Sequence, residues 1–311
     1  MTYNELWRQL AHIYDDGEAK AIARMVYEVR FGLSPSDLFI GKDTQLSADD
    51  QKVLAEITQR LMAGEPVQYA IGLAEFGGRI FHVGPGVLIP RPETYELCQW
   101  IVSNGLQDER TLYSMEKSSS PVVRCKKILE KSSSPVVRCK KILDIGTGSG
   151  CIACTLAADM PNAQVTAWDI SEEALRTAAA NAESIGVTVR FEKRDILNVM
   201  PTASQLPCNE FDAIVSNPPY ICEKEKDGME RNVLDYEPAL ALFVPDDAPL
   251  LFYRAIARYG LTGLKPGGSL YFEINPLYAD ALHDLLSRMS WHDIEIKEDQ
   301  FGKQRFIKAS K

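Results

Sequence analysis

From Lys140 onward the chain alternates short apolar runs with helical stretches: KKILDIG, CIACTLAADM, AQVTAWDI, EEALRTAAANAESIG, VTVRFEKRDI, FDAIVSN, PLLFYRAIARYGLT and GSLYFEI. Strand followed by helix, repeated, needs connections that cross the face of a sheet. The second half of the chain is therefore expected to be α/β, a doubly wound and mostly parallel sheet covered on both sides. Ligands of such sheets bind beyond the carboxyl ends of the strands, near the reversal in strand order. The chemistry is accordingly sought in the residues that end each strand.

The first 73 residues read differently. Apolar residues recur at helical spacing (Leu6, Leu10 and Ile13; Ala21, Ala23, Met25 and Val26; Val53, Ile57 and Leu61), with N-terminal signals at Ser34-Pro35 and at Ser47 followed by Asp49 and Asp50. Residues 1–73 are predicted to form a small helical bundle that meets the substrate. EFGGRIFHV then predicts a β-hairpin turning at Gly77-Gly78, within a connector spanning 74–91. PRPETYELCQWIV begins a helix, with Pro92 at its start and Glu93 in its first turn, and a helix-plus-linker region spans 92–138. The remaining unit is 139–311.

Within the linker, EKSSSPVVRCKKIL at 116–129 recurs without change at 130–143. Structural repeats drift and need several copies to build a core, so this identity is read as a recent tandem duplication or a sequence artefact. Only the second copy runs into DIGTGSG, so the second copy is expected to supply the strand. The first is expected to extend the polar linker that begins near Ser103.

A formal charge of −9 disfavours a broad phosphate-binding surface, and no tract interleaves basic with aromatic residues. Nucleic acid is thus a disfavoured partner. The N-terminal stretch has charges scattered through it and no continuous apolar run, so neither a signal peptide nor a membrane span is expected, and the location expected is cytoplasmic. Seven cysteines show no paired CxxC blocks, so neither a disulfide framework nor a metal site is expected. Cys151 and Cys154 form one CIAC at a helix start, where packing explains them better than redox chemistry. A monomer is expected.

LDIGTGSGCIA places Gly146, Gly148 and Gly150 where a strand passes into a helix, so the backbone can turn tightly and approach a ligand. The spacing meets neither the GxGxxG dinucleotide pattern nor the lysine of a P-loop. Asp169 ends the next strand, where an acid can accept from both ribose hydroxyls; the competing reading makes it the cap of the helix near Ser171. Asp195 ends the third strand, placed to accept from an adenine amino group with Ile170 and Ile196 on the ring faces. A surface acid with two core isoleucines is the alternative there.

FDAIVSNPPY ends the fourth strand abruptly. Asn217 precedes proline and is biased to an extended conformation, while Pro218 and Pro219 fix φ and lack an N–H. The Asn217 side-chain oxygen and the Pro218 carbonyl can then both point outward as acceptors beside the flat face of Tyr220. Two acceptors above an aromatic face match a planar NH2 group, held while its nitrogen is aimed at an electrophile. Amide nitrogen is a poor nucleophile because its lone pair is delocalised. Alignment for in-line attack can supply a large share of the barrier reduction, roughly 7–11 kcal/mol in favourable intramolecular cases.

These residues resemble the HemK/PrmC type of class I S-adenosylmethionine-dependent methyltransferases, the N-P-P-Y enzymes that methylate the glutamine of peptide-chain release factors. GEPVQYAIGLAEFGGRIFHV, VLIPRPET, VLDYEPALAL and EDQFGKQRFIKA are similar to further blocks of that family, so the resemblance covers nearly the whole chain outside the duplication. N-P-P-Y alone is shared with DNA, RNA and other protein N-methyltransferases. Tyr95 stands where the family usually has an acid.

The resemblance implies a seven-stranded class I methyltransferase sheet with a small N-terminal helical domain. It implies S-adenosylmethionine as donor, leaving S-adenosylhomocysteine, and the side-chain amide (N5) of a Gly-Gly-Gln glutamine in class I release factors as acceptor. By motif position Asp144, Gly146, Thr147, Gly148, Ser149 and Gly150 hold the donor, the loop lying against its methionine part. Asp169 takes its ribose, Asp195 and Ile196 its adenine with Ile170 on the other ring face, and Asn217 borders it. Asn217, Pro218 and Tyr220 are the implied catalytic residues, and they bind the acceptor amide together with Pro219; Glu237 shapes that pocket or starts a helix. The stretch 222–232 reads as a lid or as a solvated loop. Two alternatives remain at this stage: the same chemistry on a ribosomal-protein glutamine or a nucleic-acid exocyclic amine, and a non-catalytic nucleoside-binding module.

Overall fold

The computed structural model describes residues 1–105, 139–199 and 208–311. The first copy of the duplication, and the second as far as Arg138, lie outside the described residues.

Capping side chains delimit the N-terminal helices. Thr2 and Glu5 close a capping box on α1 (Tyr3–Leu10), Asp15 caps α2 (Asp16–Met25), Ser34 caps α3 (Pro35–Phe39) and Ser47 caps α4 (Ala48–Met62). A π turn, Val26–Arg30, extends α2, and a short α5 (Val67–Ile71) follows. Leu6, Leu10, Ala23, Tyr27, Leu54 and Leu61 form the bundle's core. Ile13 and Ala21, which the helical spacing assigned to that core, lie exposed. Ala19 is buried instead: α2 already begins at Asp16, and its inner face carries Ala19 and Ala23 one turn apart, which leaves Ala21 on the outer face.

β1 (Leu73–Phe76) and β2 (Arg79–His82) pair antiparallel, Phe76 opposite Arg79. Gly77 and Gly78 both take positive φ, 58° and 74°, as a two-residue hairpin turn requires. A Cβ on Gly77 would meet the Tyr95 ring at 2.4 Å, and Tyr95 also packs edge-on to Phe76. Tyr95 therefore supports the hairpin. α6 (Pro92–Gly105) begins at Pro92 as expected but runs through Ser103, so residues 103–105 are helix and not linker.

The main sheet holds β3 (Lys141–Ile145), β4 (Gln164–Asp169), β5 (Val189–Lys193), β6 (Phe211–Ser216), β9 (Leu264–Glu273), β10 (His292–Glu298) and β11 (Gln304–Ser310), ordered β10-β11-β9-β6-β3-β4-β5. β9, β6, β3, β4 and β5 run parallel, and β11 enters antiparallel between β9 and β10. β3 begins at Lys141, so the second copy of the duplication supplies the strand. Ribbon β7 (Ile221–Cys222) with β8 (Phe243–Val244) stands apart.

Helices cover both faces. Leu143 and Ile145 pack with α11 (Leu251–Gly263) and α12 (Ala279–Arg288), whereas Ile142 packs with α6 and α7 (Cys151–Asp159). Such two-sided burial is why the strands read as continuous apolar runs. α8 (Glu172–Ile185) follows β4; α9 (Arg231–Tyr236) and α10 (Ala239–Leu242) lie between β7 and β8.

Register sets the site. Asp144 is level with Ala167 and Val215, and Val215 with Tyr271. Two residues further along each strand come Gly146, Asp169, Asn217 and Glu273, so parallel pairing brings these four to one carboxyl edge. Lys193 of β5 is level with Asp169, which leaves Asp195 two residues beyond that row.

Candidate active site

On one side of this edge, backbone makes the site. The amides of Gly146 and Thr147 both donate to the Trp168 carbonyl, at 2.8 and 3.0 Å, tying the glycine loop to the end of β4. Gly146 and Gly148 have positive φ (75° and 54°), and a Cβ on either would meet no atom within 4 Å. Their bare backbone borders open space. Gly150 differs: its φ is 80° and a Cβ would come within 2.9 Å of Ala178 Cβ, so it is needed for α7 to pack on α8.

Asp144 lies beneath the loop, fully buried. Thr147 Oγ1 donates to its Oδ2 at 2.6 Å, while Oδ1 has no partner. Burial pushes this carboxyl up to about 7, the Thr147 bond opposing and the nearby Asp169 charge adding to the shift. Asp169 accepts from the amides of Gly148 (2.9 Å) and Ser171 (2.8 Å). Ser171 itself caps α8, so the capping role falls to the serine. Ser149 is buried, with its hydroxyl unpartnered.

Ile170 is 44% exposed at the strand end. Asp195 sits in a turn, accepting from Leu197 N at 2.9 Å and Asn198 Nδ2 at 2.5 Å. Ile196 packs against the core cluster, and the exposed apolar neighbour is Leu197. The alternation of faces across this turn was not visible in the sequence, because Asp195 lies outside the strand.

Side chains make the other side. Ser216 Oγ donates to the Ile145 carbonyl at 2.6 Å, pinning the start of Asn217-Pro218-Pro219-Tyr220 to β3. Asn217, Pro218 and Tyr220, with Arg91, Met229 and Val233, line a cavity of about 200 Å³. The stretch 222–232 is ordered as a 3-10 turn over Glu223–Gly228 leading into α9, and its Met229 and Glu230 form part of the cavity wall. It is neither irregular nor wholly solvated.

Behind this wall is a buried polar chain. Asn217 Nδ2 donates to Thr94 Oγ1 at 3.3 Å, Thr94 Oγ1 donates to Glu273 Oε2 at 2.6 Å, and the Tyr220 hydroxyl donates to Glu273 Oε1 at 3.1 Å. Thr94 and Glu273 are each 2% exposed. Burial raises the Glu273 carboxyl above its ordinary range, opposed by the bonds from Thr94 and Tyr220 and by the Arg305 charge. Burial, reinforced by the Glu273 charge, holds the Tyr220 phenol protonated.

Glu237 ends α9 and starts no helix; Pro238 caps α10. Both Glu237 oxygens are engaged by the connector, Oε1 with Arg91 at 2.5 Å and Oε2 with Ile89 N at 3.2 Å. Arg91 lines the cavity, and Glu237 holds it there. Asn181, also fully buried, accepts from His82 N at 2.7 Å and donates to the carbonyls of His82 and Ser149 at 3.0 and 2.9 Å, fastening the hairpin to the glycine loop.

Thr94, Glu273 and Asn181 escaped the sequence reading. Glu273 carried a faint signal, an acid ending the GSLYFE run in register with Asn217. Thr94 and Asn181 sit in helices and carried none. Cys154 is buried against α8, its thiol pushed up to about 12 by burial, which agrees with packing as its role. Among the described residues no group of three or more His, Cys, Asp or Glu is placed to hold a metal, and no helix is long and apolar enough to cross a membrane.

Residues 138–246 match the Methyltransferase domain family, and residues 4–72 match the PrmC N-terminal domain family. The sheet order with its antiparallel penultimate strand and the matched domain define the class: the protein is a class I methyltransferase with an added N-terminal helical region. A release factor glutamine methyltransferase of Bacteroides thetaiotaomicron is 43% identical over 304 residues, covering 98% of this chain and 97% of its own. One from Flavobacterium psychrophilum is 38% identical over 97% of this chain and 95% of its own, and one from Streptococcus pneumoniae is 33% identical over 94% and 91%. The chain belongs to the release factor glutamine methyltransferase family.

Proposed function

We propose that this enzyme transfers the methyl group of S-adenosylmethionine to the N5 side-chain amide nitrogen of the glutamine in the Gly-Gly-Gln motif of class I peptide-chain release factors. The observation that carries this reading is the register that puts Asn217, lining a mostly apolar cavity, two strand ends from Asp169 and beside Gly146.

The residues present fit the donor. Gly146 and Gly148 border space that no protein atom fills, and Asp144 has a buried oxygen without a partner, which suits a cationic ligand held nearby. Asp144 and the loop from Gly146 through Thr147, Gly148 and Ser149 to Gly150 hold the methionine part, Asp169 the ribose, and Asp195 with Ile170 and Ile196 the adenine. When bound, S-adenosylmethionine supplies an electrophilic methyl on a sulfonium.

Chemistry at the acceptor rests on position. Asn217 Oδ1 and the Pro218 carbonyl accept the two N–H bonds of the glutamine amide, and Tyr220 offers its face. Held this way, the nitrogen lone pair is drawn out of conjugation and aimed for direct displacement. Neither acceptor is basic enough to keep a proton, so the proton lost by nitrogen leaves to solvent. Glu237 shapes this pocket through Arg91. The bundle at 1–73 meets the protein substrate; the connector 74–91 and the region 92–138 join it to the methyltransferase unit 139–311. The Tyr236 hydroxyl, donating to Ala63 O at 3.0 Å, supports that coupling. A cytoplasmic monomer completes the reading.

Mass spectrometry of a purified class I release factor incubated with enzyme and S-adenosylmethionine tests it. One added methyl on the Gly-Gly-Gln glutamine is expected. Measurable donor binding with no methyl on the release factor would overturn the assignment of the acceptor.

A further inference from the structure

We infer that Thr94 and Glu273 are positioning residues which set the direction of the Asn217 side-chain amide, and with it the acceptor that meets the substrate nitrogen. This deepens the proposed function and rests on it.

The amide group of asparagine has two nearly isosteric ends, one a donor and one an acceptor. A cavity lined by Asn217 would bind an NH2 group in one orientation and repel it in the other. Something must choose, and the buried chain behind Asn217 does so by counting protons. Both carboxyl oxygens of Glu273 accept in this chain, so it gives no proton to it. Its Oε2 takes the single proton of the Thr94 hydroxyl at 2.6 Å, and its Oε1 takes that of the Tyr220 hydroxyl at 3.1 Å. With its proton committed, Thr94 Oγ1 can offer Asn217 only a lone pair. It therefore accepts from Nδ2, as observed at 3.3 Å, and the carbonyl end of the amide is left for the cavity.

The same carboxylate holds the Tyr220 ring, so one buried group aligns both the acceptor and the aromatic platform. The three residues are far apart in sequence and meet only through the fold. Thr94 lies in the first turn of α6 and Glu273 ends β9, level with Asn217. Tyr253 adds rigidity by donating to the Glu273 carbonyl at 3.1 Å. A packing role for Thr94 would need its methyl group; the positioning role needs its hydroxyl.

Those two roles separate cleanly in a crossed test. Thr94→Val keeps the shape and loses the hydroxyl, whereas Thr94→Ser keeps the hydroxyl and loses the methyl. With release factor and S-adenosylmethionine as substrates, Thr94→Val is expected to lower kcat about ten- to a hundred-fold, with KM for the release factor and donor Kd within about threefold of the parent. Thr94→Ser is expected to restore kcat to within about threefold. Glu273→Gln, whose NH2 can donate to Thr94 and free the hydroxyl proton to point at Asn217, is expected to behave like Thr94→Val. If Glu273→Gln does not fold, the two Thr94 variants decide alone. Full kcat in Thr94→Val, or loss in Thr94→Ser with retention in Thr94→Val, would overturn the inference. Asn217→Ala run alongside separates the levels: if it too keeps full activity, the proposed acceptor site fails; if it alone loses activity, only the positioning inference fails.

Discussion

The two sides of the carboxyl edge solve the same problem with different materials. On the proposed donor side, the site is built of backbone: glycines with positive φ leave open space, loop amides are tied to Trp168, and one carboxylate sits buried with an oxygen to spare. On the proposed acceptor side, it is built of side chains, and they are held by other side chains from helix α6 and strand β9. A backbone site depends on local conformation, so its residues cluster within a few positions. A side-chain site depends on its support, and that support lies 123 residues from Asn217 in one direction, at Thr94. Damage to the first should appear in donor affinity, and damage to the second in the rate of transfer.

The sharpest break in this contrast is Asn217→Ala. Losing an acceptor trained on the reacting nitrogen is expected to lower kcat by roughly a hundred- to a thousand-fold, measured as initial methyl transfer to release factor at saturating donor. Next comes Asn181→Ala, which removes three hydrogen bonds from a buried side chain, two to the hairpin and one to the glycine loop. A loss of about 2–4 kcal/mol in denaturant unfolding is expected, with weakened donor binding and a transfer rate at saturation close to the parent's.

Asp144→Asn should weaken donor binding about tenfold, roughly 1.4 kcal/mol, read by calorimetric titration. It also has a pH signature without donor. The folded carboxyl titrates near 7 against an ordinary value of 3.8, so between those values the folded state binds more protons than the unfolded one. Its contribution to stability is therefore full below 3.8 and falls as pH rises to about 7, then stays flat. Relative to the parent, Asp144→Asn should lose that decline, seen as a stability difference that grows from pH 4 toward roughly pH 7. The smallest effect is expected from Asp195→Ala, about threefold in donor affinity, because that carboxylate lies beyond the strand row and already serves Leu197 and Asn198.

Much of this was legible in the chain. Alternating apolar runs and helices dictate the parallel sheet, and the glycine spacing and Asn217-Pro218-Pro219-Tyr220 mark the strand ends because both depend on local backbone constraints. Bundle helices were legible from apolar spacing and, for α3 and α4, from their caps, yet Ile13 and Ala21 were misassigned, since spacing alone does not say that α1 ends at Leu10 or which face of α2 turns inward. Asp195 and Ile196 read as the end of a strand that in fact stops at Lys193. Glu273, Thr94 and Asn181 stayed hidden because a buried polar residue gains its meaning from partners that only strand register and helix docking bring near. Glu237 was visible as a feature of YEPAL, but its bond to Arg91 was not.

On the proposed assignment, Asn217 acts on the transfer step and the glycine loop acts on donor binding. That assignment is tested most directly by measuring single-turnover methyl transfer to release factor by Asn217→Ala at saturating S-adenosylmethionine, with donor Kd titrated on the same preparation. The expected result is a transfer rate at least about a hundred-fold below the parent with donor Kd within about tenfold. A rate that recovers fully once donor saturates would contradict the account.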